Sequence, residues 1–318
     1  MKGNINAGGG NAVICGNGPS LKKINYKRLP KEFDVFRCNQ FYFEDRYFVG
    51  RNVKYAFFNS FVFFEQYYTT KQLIQNKEYN IENIICSTFN LPLIDDESFI
   101  KLFPSYFCDA LLGHEVLAKI NDFLTFVKYN EIYENKRITS GIYMCAAAVA
   151  LGYKNIYLTG IDFYDDKNNI YVFKNNNNNI LKLIPEFEIG DSNKRHSKEF
   201  DLQALKMLKK QYEVNFYTLN ENSLISKYID LAPIENSNFI LKNKPSNYIN
   251  DILIPNSEYK NTIYKMQNQN SKFKQNIYYK LFKDLFHLPS DIKHYLKEKY
   301  ANKNRKINYF SEKSFDNP

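Results

Sequence analysis

The stretch Ala12-Val13-Ile14-Cys15-Gly16-Asn17-Gly18-Pro19-Ser20 is where the fold becomes readable. A short apolar run followed at once by a Gly-rich turn reads as a buried strand ending in a tight loop. The same form recurs downstream. Residues 34–38 and 55–58 read as short buried strands closed by Asn39 and Asn59, and residues 84–86 as another. Residues 155–159 run into Gly160, and residues 215–217 supply a last strand. Between them, residues 61–75, 114–127, 142–151 and 199–211 read as helices. This alternation predicts an α/β fold with a mostly parallel sheet and helices on both faces. Ligands of such sheets sit in the crevice at the carboxyl ends of the strands. Asn17, Asn39, Asn59 and Gly160 all fall at those ends, which points to one shared pocket.

Composition sets the outer limits. The chain has 318 residues, 44% of them hydrophobic, enough to bury a large core. Its net charge is +9, and residues 271–318 hold 11 Lys and Arg against 5 Asp and Glu, a local +6. A basic tail on a near-neutral body suits an anionic surface rather than a nucleic-acid-binding core, and no RNA-recognition motif occurs. The five cysteines form no Cys-x-x-Cys pair, so free thiols in a reducing cytoplasm are expected. No apolar run reaches membrane-spanning length. Residues 1–10 lack the apolar core of a secretory signal.

The expected organisation is a nucleotide-binding unit at 11–162, a lid at 163–198, completion of the first unit at 199–235 and an extension at 236–318. The lid carries the Asn175–Asn179 run and much irregular polar sequence. In the extension, Phe273, Ile277, Tyr278, Leu281, Phe282, Leu285 and Phe286 follow helical spacing, and Pro289-Ser290 restarts a second helix. Such a basic amphipathic hairpin either lies on anionic lipid or packs on protein.

Several residues could carry chemistry, each with a plainer alternative. The turn at Gly16–Ser20 could hold a phosphate or ribose through backbone N–H groups, or could be an ordinary tight turn. It is neither a Walker loop nor a complete GxGxxG. Thr139-Ser140 at a helix start could bind an anion or simply cap the helix, and Arg137 adds a positive charge nearby. His196 is the one histidine placed where a lid could carry it over the strand ends, as a general base or as an exposed structural residue. The sequence contains no Asp-x-Asp, the usual holder of a divalent ion in metal-dependent glycosyl transfer. Tyr164 and Tyr171 could supply hydrogen-bond donors in its place.

Longer stretches are more specific. Gly16–Leu21, Asp34–Asp45, Arg137–Gly141, Ala150–Lys154, Gly160–Tyr164 and His196–Lys198 closely resemble the bacterial lipooligosaccharide sialyltransferases of glycosyltransferase family forty-two, in order from about residue 12 to 233. The resemblance implies a Rossmann-like domain with a small lid, and inverting transfer of N-acetylneuraminic acid from CMP-N-acetylneuraminic acid without a metal or other cofactor. It implies that His196 takes the acceptor proton and that Tyr164 and Tyr171 hydrogen-bond the leaving phosphate. Asn17 and Asn39 match residues at the ribose and phosphate, with Ser20 in the same turn. Gln40, Asn59, Thr139 and Ser140 match residues at the sialic acid. Arg137 matches an arginine on the acceptor side, and Gly160, Ile161 and Phe163 match the cytosine-binding turn.

The implied acceptor is a lipooligosaccharide ending in galactose (an alpha-2,3 product) or in sialic acid (alpha-2,8). The implied setting is the cytoplasmic face of the bacterial inner membrane, peripherally bound through the tail, with a homo-oligomer, a tetramer among relatives. Two departures bear on the acceptor: Ser60 stands where a proline is usual, and Asn193-Lys194-Arg195 is more basic than its counterparts. The rivals are a transferase for another CMP-sugar or acceptor, and a non-enzymatic, membrane-associated nucleotide-sugar binding module.

Overall fold

The computed structural model describes residues 10–87, 96–163, 171–173, 195–254 and 276–312. Among them, ten strands form in chain order. They are β1 (Asn11–Cys15), β2 (Asp34–Cys38), β3 (Arg46–Tyr47), β4 (Asn52–Asn59), β5 (Asn80–Ser87), β6 (Ala110–Leu112), β7 (Asn155–Thr159), β8 (Asn215–Thr218), β9 (Asp230–Leu231) and β10 (Lys242–Asn243). The α-helices are α1 (Phe63–Gln75), α2 (Asp96–Tyr106), α3 (Gly113–Leu117), α4 (Asn121–Tyr133), α5 (Ser140–Ala150), α6 (Lys198–Tyr212) and α7 (Ile277–Glu312).

Eight strands make one sheet in the order β6-β5-β4-β2-β1-β7-β8-β9, and every pairing in it is parallel. β1 lies mid-sheet, paired to β2 on one side and β7 on the other, which is why its apolar run is buried from Ala12 onward. Alternation sends Ala12, Ile14, Phe36, Tyr55 and Phe57 into one core with α5 and α6. On the opposite face, Phe58 meets Phe41 and Phe63 of α1. The α/β expectation therefore holds, with helices on both faces. The chain builds outward from β1 to β6, then returns through α5 to place β7 on the free side of β1. Strand order reverses between β1 and β7, and the ligand crevice belongs there.

Some elements differ from the sequence reading. The helix expected over 114–127 is broken into α3, a 3-10 turn (Ala118–Ile120) and α4, because Ile120 leaves helical geometry at φ −120°, ψ 60°. Val116, Leu117, Ile120, Phe123 and Leu124 are all buried, so their spacing hides the break. The helical hairpin expected at Pro289 is a single helix, α7, with Pro289 inside it. A proline removes one backbone donor and crowds one carbonyl; the helical turns on either side keep the helix continuous here. α7 belongs to a separate compact unit, Lys260–Pro318, and the first unit is Met1–Tyr259. Residues 236–254, assigned to the extension on sequence, lie in the first unit, where β10 pairs antiparallel with β3. No helix among the described residues is long and apolar enough to cross a membrane. All five cysteines are free thiols, and Cys108 alone is exposed.

The turn after β2, which carries Asn39 and Gln40, is fastened from below. Arg37 and Glu44, both almost fully buried, pair at 2.8 Å, and the Tyr79 hydroxyl donates to Glu44 Oε1 at 2.9 Å. The Arg37 guanidinium also lies 5.0 Å from the Phe41 ring centroid. Lys244 closes the cluster by donating to the Tyr42 carbonyl at 2.8 Å, and burial lowers its amine to about 8. Removing one partner of a buried pair strands the other charge in a dry site. Glu44→Ala should therefore lower stability by about 3–5 kcal/mol, read from the denaturant midpoint. Arg37→Met with Glu44→Leu should recover most of it. A single-variant loss below about 1 kcal/mol, the range of an exposed pair, would contradict this role.

Candidate active site

The turns after β1 and β7 interlock backbone to backbone. Gly16 N–H donates to the Thr159 carbonyl and Gly18 N–H to the Gly160 carbonyl, both at 2.9 Å. A Cβ on Gly16 would sit 2.2 Å from the Gly160 oxygen, and one on Gly160 would sit 2.6 Å from the Gly16 oxygen. Gly160 is also left-handed at φ +65°. Asp162 adds a third tie, its Oδ2 accepting from Ser20 N–H at 2.9 Å. The glycines thus serve close approach between two loops. The amides of Gly16, Gly18 and Ser20 are spent on protein acceptors, which favours the tight-turn alternative for these three groups. The adjacency of β1 and β7 is the cause, and it is invisible in a local motif.

Above this interlock is a cleft. Asn17 enters it from the β1 turn, Asn39 and Gln40 from the end of β2, and Thr139 and Ser140 from the start of α5. Gly160, Ile161 and Phe163 enter it after β7, and Tyr171 closes one side. Nine of the sequence-predicted residues are therefore brought together. Ser20 sits one step behind the wall, buried beside Asp162. Asn59 ends β4, outside the cleft lining. Tyr164 lies outside the described residues, as does most of the expected lid.

Two polar atoms of cleft residues have no hydrogen-bond partner among the described residues. Asn17 Nδ2 donates to the Cys38 carbonyl at 2.9 Å, but its Oδ1 is buried with no partner among the described residues. Gln40 Nε2 is in the same state. Buried polar atoms left unpaired at a cleft await a ligand. Asn39 adopts a left-handed φ of 50° and donates from Nδ2 to Ser140 Oγ at 3.2 Å, joining the end of β2 to the start of α5. The Tyr171 segment is pinned by Val172 N–H donating to the Asn17 carbonyl at 2.8 Å. Tyr171 stacks on Phe173, and burial pushes its phenol up to about 12.

Thr139 does not cap α5. Its N–H and its hydroxyl both donate to Asp201, at 2.9 and 2.7 Å. The first turn of α5 therefore has no side-chain cap, so its positive end stays available to an anion. Asp201 is fully buried, and desolvation raises its carboxyl to about 7 despite the Thr139 hydrogen bonds. The sequence reading did not single it out. The available signal was its place in the buried stripe of α6, with Ala204, Leu205 and Leu208.

His196 is half-buried just before α6 and lies outside the cleft lining, as does Arg137. Its Nδ1 is 2.8 Å from the Arg137 carbonyl oxygen, which can only accept. Nδ1 must therefore carry the proton, and Nε2 of the neutral ring keeps its lone pair. Burial lowers the imidazole pKa, and the Arg137 and Arg195 charges act in the same direction. Arg137 N–H donates to the Arg195 carbonyl at 2.7 Å, and the Arg137 guanidinium pairs with Glu131. Two residues on, Thr139 lines the cleft, so the histidine is tied to the segment that leads into it. Among the described residues no group of three His, Cys, Asp or Glu side chains is placed to hold a metal ion.

A parallel sheet with a polar cleft at its switch point is the architecture of a Rossmann-like fold, whose ligands bind there. Comparison narrows the class. The family described as alpha-2,3-sialyltransferase (CST-I) matches residues 10–299. CstII of Campylobacter jejuni, solved with the substrate analogue CMP-3FNeuAc, is 51% identical with a TM-score of 0.72, over 79% of this chain and 97% of that one. CST-II with a trisaccharide acceptor and CMP is 51% identical with a TM-score of 0.73, over 80% and 99%. The monofunctional alpha-2,3-sialyltransferase Cst-I of C. jejuni is 47% identical with a TM-score of 0.74, over 92% and 97%. The chain belongs to the CST-I sialyltransferase family and is a CMP-sialic-acid-dependent glycosyltransferase.

The interlock gives a direct test. Gly160→Ala must displace the β1 turn, so CMP affinity by calorimetry should fall at least tenfold. Gly10→Ala, with open space around its Cβ, should bind CMP as the wild type does. Equal affinities in the two variants would show that the interlock does not shape the nucleotide site.

Proposed function

We propose that the protein transfers N-acetylneuraminic acid from CMP-N-acetylneuraminic acid to a terminal galactose of a lipooligosaccharide, forming an alpha-2,3 bond with inversion and without a metal ion. The observation that carries this reading is the convergence on one cleft of unpaired amide atoms and an uncapped helix start, with an imidazole held in its basic tautomer by the segment that leads into that helix. The donor carries a phosphate and a carboxylate, so it needs two places for negative charge. The start of α5 suits one, with Ser140 Oγ held by Asn39. The amides of Asn17 and Gln40 suit the uncharged nucleotide and sugar groups. The alpha-2,3 linkage follows the family description and the monofunctional Cst-I relative.

In this reading the acceptor hydroxyl attacks the anomeric carbon as CMP departs, and His196 Nε2 takes the hydroxyl proton. The leaving phosphate gains charge. Tyr171, whose phenol burial keeps protonated far above neutral pH, donates a hydrogen bond to it, with Tyr164 as the second donor. A preorganised donor of this kind contributes about 2–4 kcal/mol. These hydroxyls, together with the absence of Asp-x-Asp, support metal-independent departure.

His196→Ala should leave CMP affinity nearly intact and cut transfer at least a hundredfold, within the usual range of about 10²–10⁴ for a general base. Because burial depresses the His196 pKa, the neutral base persists to lower pH, and the midpoint of the acid limb of kcat/KM should lie below the ordinary imidazole value of 6.5. Tyr171→Phe should reduce kcat further than donor affinity, and EDTA should change neither. A hundredfold loss with EDTA, or full activity in His196→Ala, would overturn the mechanism.

We also propose peripheral binding to anionic lipid at the cytoplasmic face of the inner membrane, through α7, and assembly as a homo-oligomer, a tetramer. Leu281, Phe282, Leu285, Phe286, Ile292 and Tyr295 are exposed along α7, in a segment with a local charge of +6 within residues 271–318. Apolar anchors beside lysines suit an anionic interface. Full-length protein should co-float with phosphatidylglycerol vesicles and stay behind with phosphatidylcholine vesicles. Equal behaviour with both would contradict the charge-dependent contact.

A further inference from the structure

The segment 137–139 and the segment 195–201 are clasped at both ends. At one end the Arg137 backbone meets Arg195 and His196: Arg137 N–H donates to the Arg195 carbonyl at 2.7 Å, and His196 Nδ1–H donates to the Arg137 carbonyl at 2.8 Å. At the other end Thr139 gives both its N–H and its hydroxyl to Asp201. Between the clasps, α6 begins with Ser197 Oγ accepting from Phe200 N–H at 3.2 Å. Phe200 is buried, 5.6 Å from the Phe126 ring. The base-bearing segment and the cleft-lining start of α5 are thus tied at two points, one of them the Asp201–Thr139 pair.

Nothing in core packing calls for a carboxyl at this position. Asp201 is fully buried with Ala204, Leu205 and Leu208 around it on the same helix face. A buried acid is costly unless hydrogen-bonded, and both hydrogen bonds shown for its carboxylate come from Thr139. An apolar residue would fill the space without that cost. What the carboxylate adds is two-point control of one residue, which also fixes the direction of the Thr139 hydroxyl.

We propose that Asp201 is a positioning residue for sialyl transfer: by gripping Thr139 through both N–H and hydroxyl, it holds the Arg137 carbonyl where it fixes the His196 tautomer, and holds the start of α5 in register with it. The inference rests on the reading of His196 as the base. Asp201 does not touch substrate. Its loss leaves nucleotide-binding atoms on β1, β2 and the β7 turn in place and loosens the alignment between base and sugar.

The test is Asp201→Asn in the full chain. The variant keeps the shape but cannot accept from both Thr139 donors, because one of its terminal atoms is an amide nitrogen. CMP affinity by calorimetry should change less than threefold, and kcat should fall at least tenfold. The His196 ring ¹⁵N signals should show loss of the single Nδ1–H tautomer and a shifted imidazole titration. Asp201→Glu, which keeps a carboxylate near Thr139, should recover part of kcat and of the tautomer signature. It also serves if Asp201→Asn does not fold. An unchanged His196 tautomer and titration in both variants would overturn the proposal, whatever happens to melting temperature. His196→Ala separates the two readings: full activity there removes the base assignment, while the ring signals of Asp201→Asn still report whether the clasp exists.

Discussion

The close approach of Gly16 and Gly160 is the constraint from which the site follows. Two loops from adjacent parallel strands meet backbone to backbone, with no room for a side chain between them. That contact turns the point where strand order reverses into a rigid floor. Asn17 stands on it with one amide oxygen unpaired, and the β7 turn leads from it into Ile161, Asp162 and Phe163. Preorganisation of this kind matters for a transferase, because donors already in place need not reorganise as charge develops.

A second layer of control comes from charged or titratable groups that brace the turns around the cleft. Arg37 and Glu44 hold the turn that presents Asn39 and Gln40. Asp162 holds the Ser20 amide, and Asp201 holds Thr139. Each is a charged or titratable group at least partly withdrawn from water, and each fixes a short piece of backbone at or leading to the cleft. Their shared logic is that hydrophobic packing sets where elements lie, whereas directional hydrogen bonds set which way a turn faces. The two acids show the cost of this arrangement: desolvation raises both Asp162 and Asp201.

Much of this was legible in the sequence because the central strands are self-announcing. β1, β2 and β7 are mostly buried, so each appears as a short, largely apolar run closed by Gly or Asn, with Arg37 the charged exception in β2. The edges were not legible. β6, β3, β9 and β10 have two or three residues each, and they exist as strands only because a partner lies alongside. The asparagines of the cleft were found because they sit at strand tips, and the longer matching stretches extended the set to Gln40, Ile161 and Phe163. Asp201 was missed because its partner is 62 residues away, and acids are ordinary in a first helical turn. The Gly16–Ser20 turn was located correctly with two local roles left open, and the amides of Gly16, Gly18 and Ser20 face a neighbouring loop. The expected hairpin at Pro289 shows the reverse error, a local breaker outweighed by the helix around it.

Binding of a non-reactive CMP-sialic acid analogue, seen in a crystal structure of this chain, tests the central claim most directly. The account predicts the nucleotide across the β1–β7 switch point, with Asn17 Oδ1 and Gln40 Nε2 each acquiring a hydrogen-bond partner from the ligand and His196 Nε2 facing the sugar. A ligand seated elsewhere, or one that leaves both amide atoms unpaired, would contradict it.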